Sequence, residues 1–325
     1  MTPRGGASAT RRHWLAAAAL GLTAGARAQT AGPPLVIVVP FSAGSGPDAV
    51  VRAVARELST SLAQTVLVDN RPGAGSVLAA TAVARAAPDG RTLLVTGNVA
   101  FTGNPHVMKH LPYDPVADFT PVSGLVRGPM LLYVNPGRLP VRGVPALLAQ
   151  LRQEPGRHSY AYTSITSRLP AEVLQQAAGV TLVGVPYRSG ASALPDLLAG
   201  RTDMLFTDFS AWPHVAGGRL RAMAVTDTQR SPLAPEVPTF AEAGVEQMDF
   251  VFWLGAYLPA RAEPAWVSRL HAHLVQALRA PAVQVAQRHL GTSDFALPPA
   301  ALAAHQSREF EAWGRLIRAA RITPE

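Results

Sequence analysis

The stretch that most constrains this chain is LVIVVPFSAGSGPD, residues 35–48, which runs directly into AVVRAVARELSTSLAQ. Leu35 to Val39 form an unbroken apolar run, the pattern of a strand buried on both faces, and the proline and glycines after it can continue neither strand nor helix. The chain is therefore expected to leave a central strand, make a loop of small residues and enter a helix. In open α/β sheets ligands bind at such a junction. The crevice lies beyond the carboxyl ends of the strands, and a helix start offers unpaired N–H groups and a partial positive charge. A carboxylate or a phosphate is the natural guest.

The same device recurs along the chain. TVLVDN (65–70) reads as a second strand that ends in RPGAGS, VLAATAVARAA (77–87) as a helix, and RTLLVTGN (91–98) as a third strand ending in small polar residues. This predicts a parallel sheet with loops 41–48, 70–76 and 96–98 side by side. PVSGLVRGPMLLYVNP (121–136) contains a strand, 141–156 a helix, 159–164 a strand, and 165–180 a helix in its later part. LVGVPYRSGASALPDLLAG (182–200), TDMLFTDFSA (202–211) and RLRAMAVTD (219–227) complete a second α/β unit, with ligand-side loops at 163–168, 187–192 and 207–210. DFVFWLGAYLPA (249–260) reads as a returning strand, followed by helices over 264–280 and 299–320. Two crossings predict an α/β clamp with a hinge and a ligand cleft: one lobe from 29–132 and 252–325, the other from 133–251.

Residues 1–28 combine Arg4, Arg11 and Arg12, the short apolar run WLAAAALGL and the small-x-small site Ala26-Arg27-Ala28, the three parts of a secretory signal peptide. The apolar run is too short for a permanent membrane span. TRRHWL also resembles a twin-arginine export signal, a match that Thr10 and His13 leave partial. The expected location is the periplasm. The net charge is +8, and four arginines with no carboxylate fall in residues 1–28, so the remainder carries only a modest basic excess without a cluster. Nucleic-acid binding is not expected. The absence of cysteine excludes disulfides, thiolate metal sites, a cysteine nucleophile and a lipid-anchored N-terminal cysteine.

VVPFSAGSGPD, VDNRPGAGS, AAPDGRTLL, LPYDPVADFTPVS, VPYRSG, DLLAGRTDMLF, GRLRAMAVT and PEVPTFAEAGV occur in this order. Together they resemble the extracytoplasmic substrate-binding proteins of the tripartite tricarboxylate transporter system, the Bug family. The resemblance covers nearly all of the chain after the export segment. It implies a type II periplasmic binding-protein fold closing over a small carboxylated ligand, such as a di- or tricarboxylate, an amino acid or an aromatic acid. It also implies a monomer without cofactor or metal that delivers its ligand to a membrane permease, or a sensing role where no permease accompanies it.

Carried over by position, Phe41, Ser42, Ala43, Gly44, Ser45 and Gly46 would hold one carboxylate through backbone N–H groups and ordered water, with Asp48 bracing the loop. Gly46→Val is expected to block that close approach. Arg71, Gly73 and Gly75, with Gly97 and Asn98, would form a second wall. Thr163, Ser164, Thr166, Ser167 and Arg168, then Tyr187, Arg188, Ser189 and Asp208, would face them from the other lobe, and Trp253 could floor the cleft. The chain departs from the family pattern in the 163–168 loop, where glycines are usual and Ile165 restricts the backbone while Arg168 adds a charge near the cleft, and at Ser45, which stands between glycines where the family often has a glycine pair.

A catalytic reading is also open. Gly44-x-Gly46-x-x-Ala49, with Asp69 ending the next strand, approximates the dinucleotide fingerprint and would make an exported NAD-dependent oxidoreductase. Against it, Pro40 to Ala43 separate the strand from the first glycine, where the fingerprint needs the tight turn at once. His271 and His273 are two apart and cannot share a metal from one helix face.

Overall fold

The computed structural model describes Thr2 and residues 32–324; the expected export segment, Thr2 apart, lies outside the described residues. The chain enters through three parallel strands, β1 (Leu35–Val39), β2 (Val66–Asn70) and β3 (Thr92–Gly97), with β1 in the middle so that Ile37 pairs with both Val68 and Leu93. Leu35, Ile37, Val38 and Val39 are all buried, as a doubly covered strand requires. The helix Gly46–Ser61 packs its Val50, Val51, Val54 and Leu58 into the same apolar core.

The apolar stretch over 121–136 makes two strands rather than one. β4 (Phe119–Pro129) belongs to the first sheet and β5 (Leu131–Val134) to a second, the chain passing between them at Met130. β6 (Ser159–Tyr162), β7 (Val183–Pro186), β8 (Met204–Thr207) and β9 (Arg221–Val225) complete the second sheet in the order β7-β6-β8-β5-β9. The chain then returns as β10 (Val251–Pro259), antiparallel to β3 and β4, and adds a short edge strand, β11 (Ser293–Asp294). The first sheet thus reads β11-β4-β10-β3-β1-β2.

The connecting segments are tied together at one buried residue. Thr226 N donates to Met130 O (2.8 Å), Met130 N donates to Thr226 Oγ1 (2.9 Å), Thr226 Oγ1 donates to Phe250 O (2.6 Å), and Phe250 N donates to Thr226 O (2.8 Å). Both passages between the sheets therefore share a hydrogen-bonded clasp, which keeps them in register.

Two helix expectations change. The stretch expected as one helix over 264–280 ends at Leu278, and a further helix, Pro281–Leu290, follows. Pro281 cannot donate into a preceding turn but is well suited to the first position of a new one. The helix expected only in the later part of 165–180 begins at Ile165 and runs to Ala178, closed by left-handed Gly179.

Candidate functional site

The carboxyl ends of β1 and β3 in one lobe and of β6 and β8 in the other open onto one cleft of about 480 Å³, a volume suited to a small molecule. Residues 40–47 supply its first wall, and Asp48 builds that wall from behind. Asp48 is wholly buried; Oδ2 accepts from the Gly44 amide (2.8 Å) and Arg52 Nε (2.8 Å), and Oδ1 accepts from Asn70 Nδ2 (2.7 Å). Asn70 Nδ2 also donates to Phe41 O (2.9 Å), and Arg52 donates to Asn70 Oδ1 (2.6 Å), so the loop is held at both ends. Burial alone would push the Asp48 carboxyl up; the bonds from Arg52, Asn70 and Gly44 outweigh it and hold it below the usual carboxylate range. Asp48 therefore does not line the cleft.

What faces the cleft from this wall is neutral. Pro47 has no N–H and the Gly44 amide is taken by Asp48, while the amides of Ser42, Ala43 and Gly46 have no acceptor among the described residues. Ser45 Oγ is buried without a partner, a donor left over at the position where the sequence departs from a glycine pair. Gly44 itself adopts φ +79°, a conformation that costs glycine little.

The second loop contributes Gly73 and Gly75, and β3 ends at the cleft in Gly97 and Asn98. Arg71 does not line it. Its amide donates to Val39 O (2.7 Å), but its guanidinium turns outward to Asp69 (2.8 Å), both side chains well exposed. That pairing also occupies the acidic residue on which the dinucleotide reading depends.

Trp253 is corrected as well. It is buried on the opposite face of β10, where Nε1 donates to Glu309 Oε2 (3.3 Å) and the ring lies beside Phe295 and His305. Side chains alternate along a strand, so its neighbours Phe252 and Leu254 reach the cleft instead. Burial pushes the Glu309 carboxyl up, with the bonds from Trp253 and Asn98 only partly offsetting it.

From the second lobe Thr163, Ser164, Thr166, Ser167, Arg188, Ser189 and Asp208 line the cleft. Thr163 N donates to Ser167 Oγ (2.9 Å), which donates in turn to Ser164 O (3.2 Å), folding the loop onto the helix start. Arg168 points away: Nε pairs with Glu172 (3.1 Å) one helical turn on, and the guanidinium lies over Tyr162. Tyr187 is likewise held off, its hydroxyl donating to Asp196 (2.8 Å). Asp208 keeps some accessible surface, yet protein surrounds its carboxyl and burial pushes its pKa up, against the bonds from Ser210.

The lobes touch around this cleft. A Cβ at Gly46 would lie 2.7 Å from Leu290 Cδ1 and 3.5 Å from Ser210 Cβ, so that glycine makes room for the opposite lobe and for the unexpected helix 281–290, not for a ligand alone. A side chain at Gly103 would collide with Ile165 Cγ2, and one at Gly291 with the Phe209 ring. Ile165 is thus explained: it leaves the cleft and packs across onto the first lobe. Sequence reasoning missed Ser76 and Ser210 among the lining residues, although both lie in the loops it had singled out.

Two α/β lobes joined by crossing strands, with facing strand ends around one cleft, define a type II periplasmic binding protein. The family described as tripartite tricarboxylate transporter family receptor matches residues 50–322. Protein BugT of Bordetella pertussis is 32% identical over 292 residues, which cover 88% of each chain. A Rhodopseudomonas palustris protein solved with adipate superimposes with a TM-score of 0.86 at 30% identity, over 90% of this chain and 99% of that one. MatC of Rhodopseudomonas palustris with bound malate gives 0.82 at 29% identity, over 88% and 99%. The chain belongs to the tripartite tricarboxylate transporter receptors of the Bug family, and it is a solute-binding receptor, not an enzyme.

Proposed function

We propose that this receptor works in the periplasm, where it captures a small carboxylic acid between its lobes and presents it to a membrane permease of the tripartite tricarboxylate type. The observation that carries the reading is the first wall: unpaired amides and a buried unpaired hydroxyl, braced from behind by Asp48, with no acidic side chain among the lining residues 40–47. Preformed donors of that kind replace the water of a carboxylate without moving. The hydroxyls of Thr163, Ser164, Thr166 and Ser167 then meet the rest of the ligand as the lobes close about the Thr226 clasp. Carboxylates bound by two structural neighbours, adipate and malate, support the ligand class.

The test is native mass spectrometry of the exported protein, followed by thermal-shift screening against mono-, di- and tricarboxylates, aromatic acids and NAD. A copurified or stabilising small acid is expected. Stabilisation by NAD with no response to any acid would overturn the reading.

A further inference from the structure

Two carboxylates stand behind the walls of the cleft. Asp48 holds the loop 41–48 and is matched by Arg52. Glu309, on the helix Pro299–Ala319, holds the wall at the end of β3: its Oε2 accepts from Trp253 Nε1 (3.3 Å), and its carboxyl also accepts from the side chains of Asn98 and Trp313. Asn98 lines the cleft, its amide donates to Trp253 O (3.2 Å), and its Nδ2 lies 3.5 Å from Val251 O. Glu309 thus closes a knot between the end of β3 and the start of β10, directly after Phe250 of the clasp.

Unlike Asp48, Glu309 has no cation within ion-pair distance among the described residues. One helical turn before it, His305 sets its ring against Trp253 (5.4 Å), and burial, with Arg308 and Arg127 beside it, holds that imidazole below its ordinary range and so neutral. Arg127, on β4 opposite Trp253, lies over the Phe295 ring (5.8 Å). The segment that crosses back from the second lobe adds a further carboxylate, Asp249, itself beside Asp227, and it repels Glu309. Burial and Asp249 push the Glu309 carboxyl up, against its three hydrogen bonds. An anion arriving beside Asn98 adds to that repulsion, and no cation beside Glu309 offsets it. A neutral acid removes the repulsion and keeps an oxygen for the Asn98 and Trp253 donors. We propose that Glu309 is a positioning residue for the cleft wall at Asn98, and that capture of an anion there is coupled to uptake of a proton by Glu309. By linkage the proton and the anion favour each other, so affinity rises as Glu309 is protonated and falls as it ionises. This inference rests on the carboxylate reading of the cleft.

The experiment has a ligand-free arm and a binding arm. Indole nitrogen–proton NMR spectra are recorded between about pH 5 and about pH 8, with the Trp253 signal assigned by its loss in Trp253→Phe. That signal is expected to titrate in the wild type and to stay flat in Glu309→Gln, whose amide keeps an oxygen for both donors. Calorimetric titration with malate and adipate follows over the same range, the variant cancelling the ionisation of the acids themselves. The ratio of wild-type to Glu309→Gln affinity is expected to be near one at the acid end and to fall about fivefold by the alkaline end, with a proton taken up on binding by the wild type alone. Glu309→Leu, which removes the acceptor as well as the charge, is expected to bind at least about tenfold more weakly than Glu309→Gln at every pH. A flat Trp253 signal in the wild type, equal pH profiles in the wild type and Glu309→Gln, or a Glu309→Leu variant that binds as well as Glu309→Gln overturns the inference and leaves the carboxylate reading intact. Should Glu309→Gln fold poorly by circular dichroism, the Trp253 titration and the proton uptake of the wild type decide by themselves. Failure of malate, adipate and every acid of the thermal-shift screen overturns the carboxylate reading, and the coupling with it.

Discussion

The two loops that face each other across the cleft are held in different ways. Residues 41–48 are fixed from within their own lobe: Asp48, Arg52 and Asn70 form a closed ring of short bonds that grips Gly44 and Phe41. Residues 163–168 have one local hydroxyl brace, Ser167, and their one apolar side chain, Ile165, finds its packing on Gly103 of the other lobe. One wall is thus held from within its own lobe, and the other leans on the facing lobe. Preorganisation lowers the entropic cost of the first contact, whereas a wall that depends on closure makes the second contact report that a ligand is present.

Removing the brace of the first wall should have the largest effect. Asp48→Ala takes the shared acceptor from the half-buried Arg52 and Asn70 donors and from the Gly44 amide and is expected to cost about 2 kcal/mol of stability, read from urea unfolding, and to abolish acid binding in calorimetry. Binding that survived at wild-type strength would mean that the loop does not depend on its ring. The same carboxylate should make stability acid-sensitive. Its folded-state pKa lies below the ordinary value, so its contribution is present above about pH 4 and is lost as the pH falls through the folded pKa. Asp48→Asn should flatten that part of the acid limb in a pH series of melting temperatures.

Next in size is the contact that completes the second wall. Gly103→Ala places a methyl against Ile165 Cγ2 and is expected to weaken ligand binding by about 2 kcal/mol, some thirtyfold, while the unliganded melting temperature moves little. Ile165→Ala in the same chain should restore most of the affinity, because it vacates the space the methyl needs. A double variant no better than Gly103→Ala would show that the glycine serves its own helix turn and not closure.

The asymmetry between the loops also decides what the amino-acid sequence made legible. The β1 junction, the parallel order of β1 to β3 and the loops at the strand ends were all readable, because buried strands and small-residue turns leave local patterns. Which lining residues point inward was less so. An aromatic in the returning strand suits the floor of a cleft, yet strand alternation turns Trp253 away and places Phe252 and Leu254 there. Arg168 and Tyr187 were drawn off by Glu172 and Asp196, partners four and nine residues away that a local pattern does not announce. Ile165 read as an obstacle because its true neighbour, Gly103, is distant in the chain. The helix 281–290 has no counterpart in the sequence reading, which passes from a helix ending at 280 to one starting at 299, and with it goes the contact of Gly291 with Phe209. The small-residue loops that mark the cleft are local in sequence; the contacts between the lobes are not.

Arg71 supplies the smallest and most discriminating test of the comparison. It follows β2 beside the first wall, tied to Val39 by its amide, with a charge that suits a carboxylate, and by charge alone it would rank above every neutral donor of residues 40–47. Its backbone N–H to Val39 O holds the chain in place whatever side chain follows, and the guanidinium pairs with Asp69 in the open, where such pairs contribute less than about 1 kcal/mol. Arg71→Ala is therefore expected to change stability by at most about 0.5 kcal/mol and acid affinity by less than about twofold, with no change in the salt dependence of binding. A tenfold loss of affinity that grew at low ionic strength would mean that Arg71 leaves Asp69 for the ligand. The first wall would then contain a part that moves on binding, and the contrast between a preformed loop and one completed by closure would fail at the place where it is easiest to measure.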